Sequence, residues 1–163
     1  MTEFIQSSSN PWLLPLAAVA LLLLVWLVYR FIRGRSGGLE GALADISFDR
    51  IDGLVIPSAD EGEILVDYLL LTAKGLLILE VKDNQGIVFG GDKLQDWTVS
   101  NDERRYTFSN PQPALYDRIA AGRQIVREVP VAGRILFLDG ADFTKGVPDL
   151  VTNLAELVSE FGE

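Results

Sequence analysis

An uncharged apolar run near the start of the chain constrains its structure more than any other feature. Residues 12–29 read WLLPLAAVALLLLVWLVY, without a charged side chain. A helix rises about 1.5 Å per residue, so a run of this length matches the roughly 30 Å hydrocarbon core of a bilayer. Trp12 at one end, with Trp26 and Tyr29 near the other, suits the two membrane interfaces. The sequence therefore predicts one transmembrane helix over residues 11–33 in a lipid bilayer, preceded by a short segment of residues 1–10.

The charges that flank this run predict its orientation. Three arginines follow it closely: Arg30, Arg33 and Arg35. Residues 1–10 contain no basic side chain, which favours a retained anchor over a cleaved signal peptide or a buried core helix. The positive-inside rule then predicts a single-pass protein of the cell inner membrane, with its N-terminus outside and the rest of the chain cytoplasmic.

The composition excludes several kinds of catalysis. The 163 residues include no histidine and no cysteine. Ser-His-Asp triads, Cys-His nucleophiles, structural zinc sites and disulfides are therefore excluded. Catalysis in this chain must use carboxylates, lysine, arginine, hydroxyls and a hard metal ion.

Beyond a linker at residues 34–38, residues 39–163 are predicted to form one domain. Apolar runs of strand length occur at residues 64–72 and 76–82, and further strands are predicted at residues 54–56, 87–89, 94–99, 105–108 and 135–138. A helix is predicted from Pro111, with Asn110 as its cap, as far as Val129, because Pro130 stops it. An apolar face from Val147 to Phe161 predicts a last helix. This order predicts an α/β fold in which a mixed β-sheet is flanked by helices.

Two carboxylates interrupt the apolar hairpin of residues 64–82. Asp67 lies in the middle of ILVDYLLLT, where burial of a lone carboxylate is costly, and Glu80 shares a strand face with Lys82. A turn at Ala73-Lys74 makes Thr72 face Gly75, and the same register carried further places Asp67 opposite Glu80. Two carboxylates so close repel unless one is protonated or a cation lies between them. One interpretation is a Mg²⁺ or Mn²⁺ site, and the other is a solvated Glu-x-Lys pair at a strand end.

The same hairpin resembles a known family. An aspartate in an apolar strand, a glycine turn and a following Glu-x-Lys are represented here by Asp67, Gly75 and the segment Glu80-Val81-Lys82. This pattern is similar to the core of the nuclease-related domain (NERD) family, which itself is similar to the PD-(D/E)xK nucleases. The resemblance extends over residues 46–157, with Trp97 and the pair Asn110-Pro111 as further matches.

The resemblance implies a restriction-endonuclease-like fold and a set of site residues. Asp67 and Glu80 are implied as metal ligands, the Val81 backbone carbonyl as a further ligand, and Lys82 as the catalytic lysine. The cofactor implied is Mg²⁺ or Mn²⁺. Glu40, in the segment before the first strand, is a candidate to complete the site.

The charge balance bears on nucleic-acid binding. Without Glu3 and the three juxtamembrane arginines, 11 of the 14 basic residues and 22 of the 23 acidic residues remain, a net charge of −11 for residues 36–163. Such an acidic domain is a poor non-specific binder of duplex DNA. Arg118, beside the apolar face of the helix after Pro111, and Arg123 and Arg127, on its exposed side, are the candidate phosphate contacts. A solvated helix face is the alternative.

Two functions from different classes remain open. The first is a membrane-anchored, metal-dependent phosphodiesterase that acts on DNA or RNA. The alternative is a non-catalytic, membrane-tethered interaction module that retains the nuclease-like fold and binds a protein partner. Metal binding that depends on Asp67 distinguishes the two.

Overall fold

The structure, a computed structural model, describes residues 21–27, 38–57 and 63–162. The chain divides into two units, Met1–Gly41 and Ala42–Glu163. In the first unit residues 21–27 are helical, and their side chains are exposed. Most of the predicted transmembrane helix over residues 11–33 lies outside the described residues. Among the helices of the described part, none combines the length and the apolar character needed to cross a membrane.

The second unit contains nine strands and two complete helices among its described residues, and α1 (Leu39–Ile46) precedes them across the unit boundary. The strands are β1 (Asp49–Pro57), β2 (Glu63–Thr72), β3 (Gly75–Lys82), β4 (Gly86–Phe89), β5 (Asp96–Ser100), β6 (Arg105–Ser109), β7 (Val131–Phe137), β8 (Ala141–Asp142) and β9 (Val151–Thr152). The helices are α2 (Gln112–Ile125) and α3 (Leu154–Phe161).

The larger sheet has five strands in the order β1-β2-β3-β7-β9. β1, β2 and β3 are antiparallel neighbours, whereas β7 runs parallel to both β3 and β9. A parallel neighbour needs a crossover connection, and α2 lies in the connection between β3 and β7. The predicted α/β fold with a mixed sheet flanked by helices is confirmed.

A second sheet of four strands, in the order β6-β5-β4-β8, is absent from the sequence-based prediction of a single sheet. Gly86 begins β4 with a φ of +127°, and a Cβ there would lie 2.6 Å from the Ser100 carbonyl oxygen. This conformation, which favours glycine, allows the chain to leave the first sheet after Lys82. Trp97 of β5 is fully buried, as expected for a core residue, and stacks at 6.2 Å on Phe137 of β7.

The helix predicted over residues 111–129 ends earlier than expected. α2 stops at Ile125, because Val126 is extended, with φ −116° and ψ 94°, and its N–H donates to the Gly122 carbonyl. Residues 127–129 are bends. The prediction that Arg127 lies on the exposed side of this helix is therefore wrong, since Arg127 lies past the end of α2.

The prediction begins the last helix too early, at Val147, whereas α3 begins at Leu154. The Asn153 side chain accepts a hydrogen bond from the Glu156 N–H at 2.9 Å and so caps α3 immediately before Leu154. Val151 and Thr152 form β9 beside β7 instead, and Leu150 has a φ of +64° that no helix accommodates. Apolar residues from Val147 onward fit a helical period in sequence, but only those from Leu154 onward lie on the helix.

The packing of α2 on the larger sheet depends on one small residue of β7. Leu115 and Ile119 of α2 are buried, and a Cβ on Gly133 would lie 2.7 Å from the Ile119 Cδ1 atom and 2.9 Å from the Leu115 Cδ1 atom. Glycine therefore lets the helix lie close to the strand. This approach determines where the polar side chains of α2 meet the sheet.

The start of α2 is tied to the rest of the domain by Asp92. Its Oδ1 atom accepts a hydrogen bond from the Gln112 Nε2 atom at 2.7 Å and from the Asp149 N–H at 2.8 Å. The Gln112 amide also donates to the Asp149 carbonyl at 2.7 Å. The Gln112 hydrogen bond, followed by that of Asp149, holds the pKa of the Asp92 carboxyl below its ordinary value of 3.8.

The lowered pKa predicts an acid-sensitive contribution of Asp92 to stability. Its stabilising effect is present above the unfolded-state pKa and is lost as the pH falls through the folded-state value, which lies below 3.8. Asp92→Asn is expected to be less stable than the wild type at neutral pH, with a difference that narrows below about pH 4. Urea midpoints measured from pH 7 to pH 3 test this, with Lys93→Gln as the matched control. A difference that stays constant down to pH 3 would contradict it.

Candidate metal and phosphate site

Asp67 and Glu80 come together because β2 and β3 form a regular hairpin. The predicted register is confirmed from Thr72 opposite Gly75 to Tyr68 opposite Leu79. Asp67 and Glu80 are the next residues along the two strands, but the paired stretch ends at Tyr68 and Leu79, so the predicted Asp67–Glu80 pair is not part of it. The Asp67 Oδ2 atom accepts a hydrogen bond from the Val81 N–H at 3.0 Å, so this carboxylate reaches across to β3.

The Glu80 carboxylate is buried, with 9% of the residue exposed, and each of its oxygens meets a cation. The Lys82 Nζ atom lies 2.7 Å from Oε1, and an Arg118 Nη1 atom lies 2.9 Å from Oε2. A buried carboxylate requires such partners, because an isolated charge in the interior is very costly. The prediction that Glu80 and Lys82 share one strand face is confirmed by this ion pair.

Arg118 reaches this carboxylate from α2. Its Nε atom donates to the Leu65 carbonyl of β2 at 2.8 Å, while Nη1 donates to Glu80 of β3. Its side chain is only 18% exposed. The sequence correctly puts Arg118 beside the apolar face of the helix, next to Ile119. Its contact with Glu80 was not predicted, and the one available signal was this position beside a buried residue.

These four charged side chains, Asp67, Glu80, Lys82 and Arg118, line one cavity of about 150 Å³. Its other walls are apolar side chains of β2 and β3. Gly53 of β1 lies level with Asp67, between the residues paired with Tyr68 and Val66, and a Cβ there would meet no atom within 4 Å. Its φ of +64° is a left-handed conformation that favours glycine, which accounts for this residue in the strand.

Two other predicted site residues, Arg123 and Arg127, lie elsewhere in the second unit. An Arg123 Nη2 atom donates to the Val131 carbonyl at 3.3 Å, and Arg127 is exposed beyond the end of α2. Both line a cavity whose walls include none of the residues around Asp67. Glu40 lies exposed in the first turn of α1.

The donor chemistry at Asp67 and Glu80 can be compared with the needs of a metal ion. Mg²⁺ is usually held by one or two carboxylates and keeps several waters. Asp67 uses only Oδ2 in a hydrogen bond within the described residues, which leaves Oδ1 as a hard oxygen donor. No group of three or more carboxylates within residues 21–27, 38–57 and 63–162 could hold a metal. Of the pair, only Asp67 therefore offers an oxygen without a partner among the described residues, and Glu80 offers one only where Lys82 or Arg118 moves away.

The fold and the site together define a mixed α/β domain with a carboxylate–lysine cluster on an antiparallel hairpin. The family model of the nuclease-related domain, NERD, matches residues 39–138. The chain belongs to this family. The matched range includes Asp67, Glu80, Lys82 and Arg118 and ends just after β7. Comparison with curated proteins and with solved structures gives no match.

Proposed function

We propose that this chain is a membrane-anchored, metal-dependent phosphodiesterase that acts on DNA or RNA. The observation that carries the proposal is the convergence of Asp67, Glu80 and Lys82 on one cavity. Membership of the nuclease-related domain family supports the same class of chemistry. The apolar run of residues 12–29 supports an anchor in the inner membrane, with the domain on the cytoplasmic side.

Asp67 and Glu80 would hold Mg²⁺ or Mn²⁺, with the Val81 backbone carbonyl as a further donor. When bound, such an ion polarises a phosphoryl oxygen and lowers the pKa of a bound water. The Val81 N–H fixes the orientation of the Asp67 carboxylate before any ligand arrives. Preorganised donors of this kind are effective because they need no rearrangement during the reaction.

Lys82 is suited to stabilise negative charge on a phosphate. Its side chain is 30% exposed, so the ammonium group is accessible at the cavity while it pairs with Glu80. A positively charged group held beside the site stabilises the charge that develops in the transition state.

The net charge of −11 on residues 36–163 bears on how the substrate is held. Non-specific binding to nucleic acid depends on neutralising phosphates, so the net negative charge of this domain gives it a low affinity for nucleic acid. We therefore place binding in local contacts, with Arg123 and Arg127 as candidate phosphate contacts outside the central cavity. Arg118 is already paired with Glu80.

A nuclease assay on the full-length chain in a mild detergent tests the proposal. Single- and double-stranded DNA and RNA are incubated with Mg²⁺, with Mn²⁺ or with a chelator. Cleavage is expected with either metal. It is expected to be lost with the chelator, because a site of one or two carboxylates loses its ion to the chelator. Cleavage that persists in the chelator, or no cleavage of any substrate, would contradict the proposal.

The second candidate function is a non-catalytic interaction module that retains the fold and binds a protein partner. The observation that favours it is the pairing of both Glu80 oxygens with Lys82 and Arg118, which balances the buried charge without a metal ion. Binding of Mn²⁺ to the wild type and to Asp67→Ala separates the two candidates. Binding that does not depend on Asp67 favours the module.

A further inference from the structure

Arg118 is held firmly in place at the Glu80 side of the cavity. One nitrogen donates to the Leu65 carbonyl and another donates to the Glu80 carboxylate, at 2.8 and 2.9 Å. The planar guanidinium group is thereby fixed between two strands, as its fork of donors allows. The close packing of α2 on Gly133 brings the side chain to this position.

The two carboxylates of the cavity are unequal as a result. Glu80 has a cation at each oxygen, whereas Asp67 forms no ion pair within the part of the chain that the structure describes. A divalent ion at Asp67 can reach Glu80 only by approaching an oxygen that a cation already contacts. Like charges a few ångströms apart repel strongly in a partly buried site, where water screens them poorly.

We infer that Arg118 is an internal counter-ion that competes with the divalent cation for Glu80, so that the metal must displace this guanidinium to bind both carboxylates. The inference rests on the proposed function and adds that Arg118 limits how tightly the proposed site binds its metal ion. Lys82 also contacts Glu80, but its flexible stem and its greater exposure let it move aside more easily. Arg118, tied to the β2 backbone as well, sets the energetic barrier to metal binding.

Calorimetric titration of Mn²⁺ into the full-length chain in mild detergent, without nucleic acid, tests this inference. Arg118→Gln is expected to bind Mn²⁺ about tenfold more tightly than the wild type, because a positive charge at the ligand has been removed. Arg105→Gln is the matched control, since it removes the same charge from an exposed position on β6 of the four-stranded sheet, and it is expected to bind as the wild type does. The gain must disappear in Asp67→Asn/Arg118→Gln.

If Arg118 only stabilises the structure of the site, Arg118→Gln is expected to bind Mn²⁺ less tightly than the wild type, because a loosened site binds the ion less well. Equal or weaker Mn²⁺ binding by Arg118→Gln therefore overturns the inference, as does a gain that survives Asp67→Asn. If circular dichroism shows that Arg118→Gln is unfolded, Arg118→Met keeps the apolar stem, and the same gain is expected.

The nuclease assay separates this inference from the proposed function. If the wild type cleaves nucleic acid but Arg118→Gln binds Mn²⁺ no more tightly, the proposed function stands and the inference that Arg118 competes with the metal is overturned. If Arg118→Gln binds Mn²⁺ more tightly but neither protein cleaves nucleic acid, the inference stands and the proposed function is overturned. Absence of binding in both proteins overturns both.

Discussion

Asp67→Asn is expected to lower metal-dependent cleavage at least about 100-fold while the domain stays folded. Asparagine keeps an oxygen that can accept the Val81 N–H, so the hydrogen bond between β2 and β3 is retained. It loses the negative charge that a divalent ion requires. Cleavage rates at saturating Mg²⁺ and thermal unfolding of the same preparation provide the measurement.

Lys82→Ala is expected to lower metal-dependent cleavage by a similar factor, but for a different reason. It removes the ammonium group at the cavity and leaves Glu80 paired with Arg118 alone. Asp83→Asn, an exposed neighbour just beyond β3, is the matched control and is expected to cleave at the wild-type rate. Wild-type cleavage by either Asp67→Asn or Lys82→Ala would remove these residues from the mechanism.

Trp97→Ala is expected to lower the free energy of unfolding by about 3–5 kcal/mol, the range for truncation of a fully buried large aromatic side chain. Trp97 is completely buried and stacks on Phe137, with Phe108 and Phe143 in edge-to-face contact. Because Trp97 lies in the four-stranded sheet and Phe137 in the five-stranded sheet, this contact joins the two. Urea denaturation measures the loss.

Leu94→Ala is the control for this prediction, since Leu94 is 50% exposed in the loop before β5. This substitution is expected to change the free energy of unfolding by no more than about 0.5 kcal/mol, as most surface substitutions do. A Trp97→Ala cost similar to that of Leu94→Ala would show that the aromatic cluster does not hold the two sheets together.

The hairpin was predictable from sequence because its determinants are local. Ala73 and Lys74 form a two-residue turn between two apolar runs, and this turn fixes the register as far as Tyr68 opposite Leu79. The hairpin register and the shared strand face grouped Asp67 with Glu80 and Lys82, and the resemblance to the family pattern implied their roles. The structure brings all three to one cavity, and their chemical roles remain predictions.

The remaining features depend on contacts between distant parts of the chain. The pairing of Glu80 with Arg118 joins residues 38 positions apart, so no local pattern reveals it. The second sheet likewise requires β4 to pair with β8 rather than to extend the first sheet. At the end of the chain, a side-chain cap at Asn153 and pairing of Val151 with β7 override a helical period in the sequence.

The absence of a side chain at Gly133 has a consequence for the chemistry of the site. A side chain at this position would displace the ends of Ile119 and Leu115, whose Cδ1 atoms lie 2.7 and 2.9 Å from where a Cβ would be, or move α2 outward. Arg118 precedes Ile119 on that helix, so outward movement lengthens the contact between its guanidinium and Glu80. Attraction between charges weakens with separation, and the hold on Glu80 weakens with it. The spacing between one helix and one strand is thus expected to affect how strongly Arg118 holds a carboxylate on a different strand.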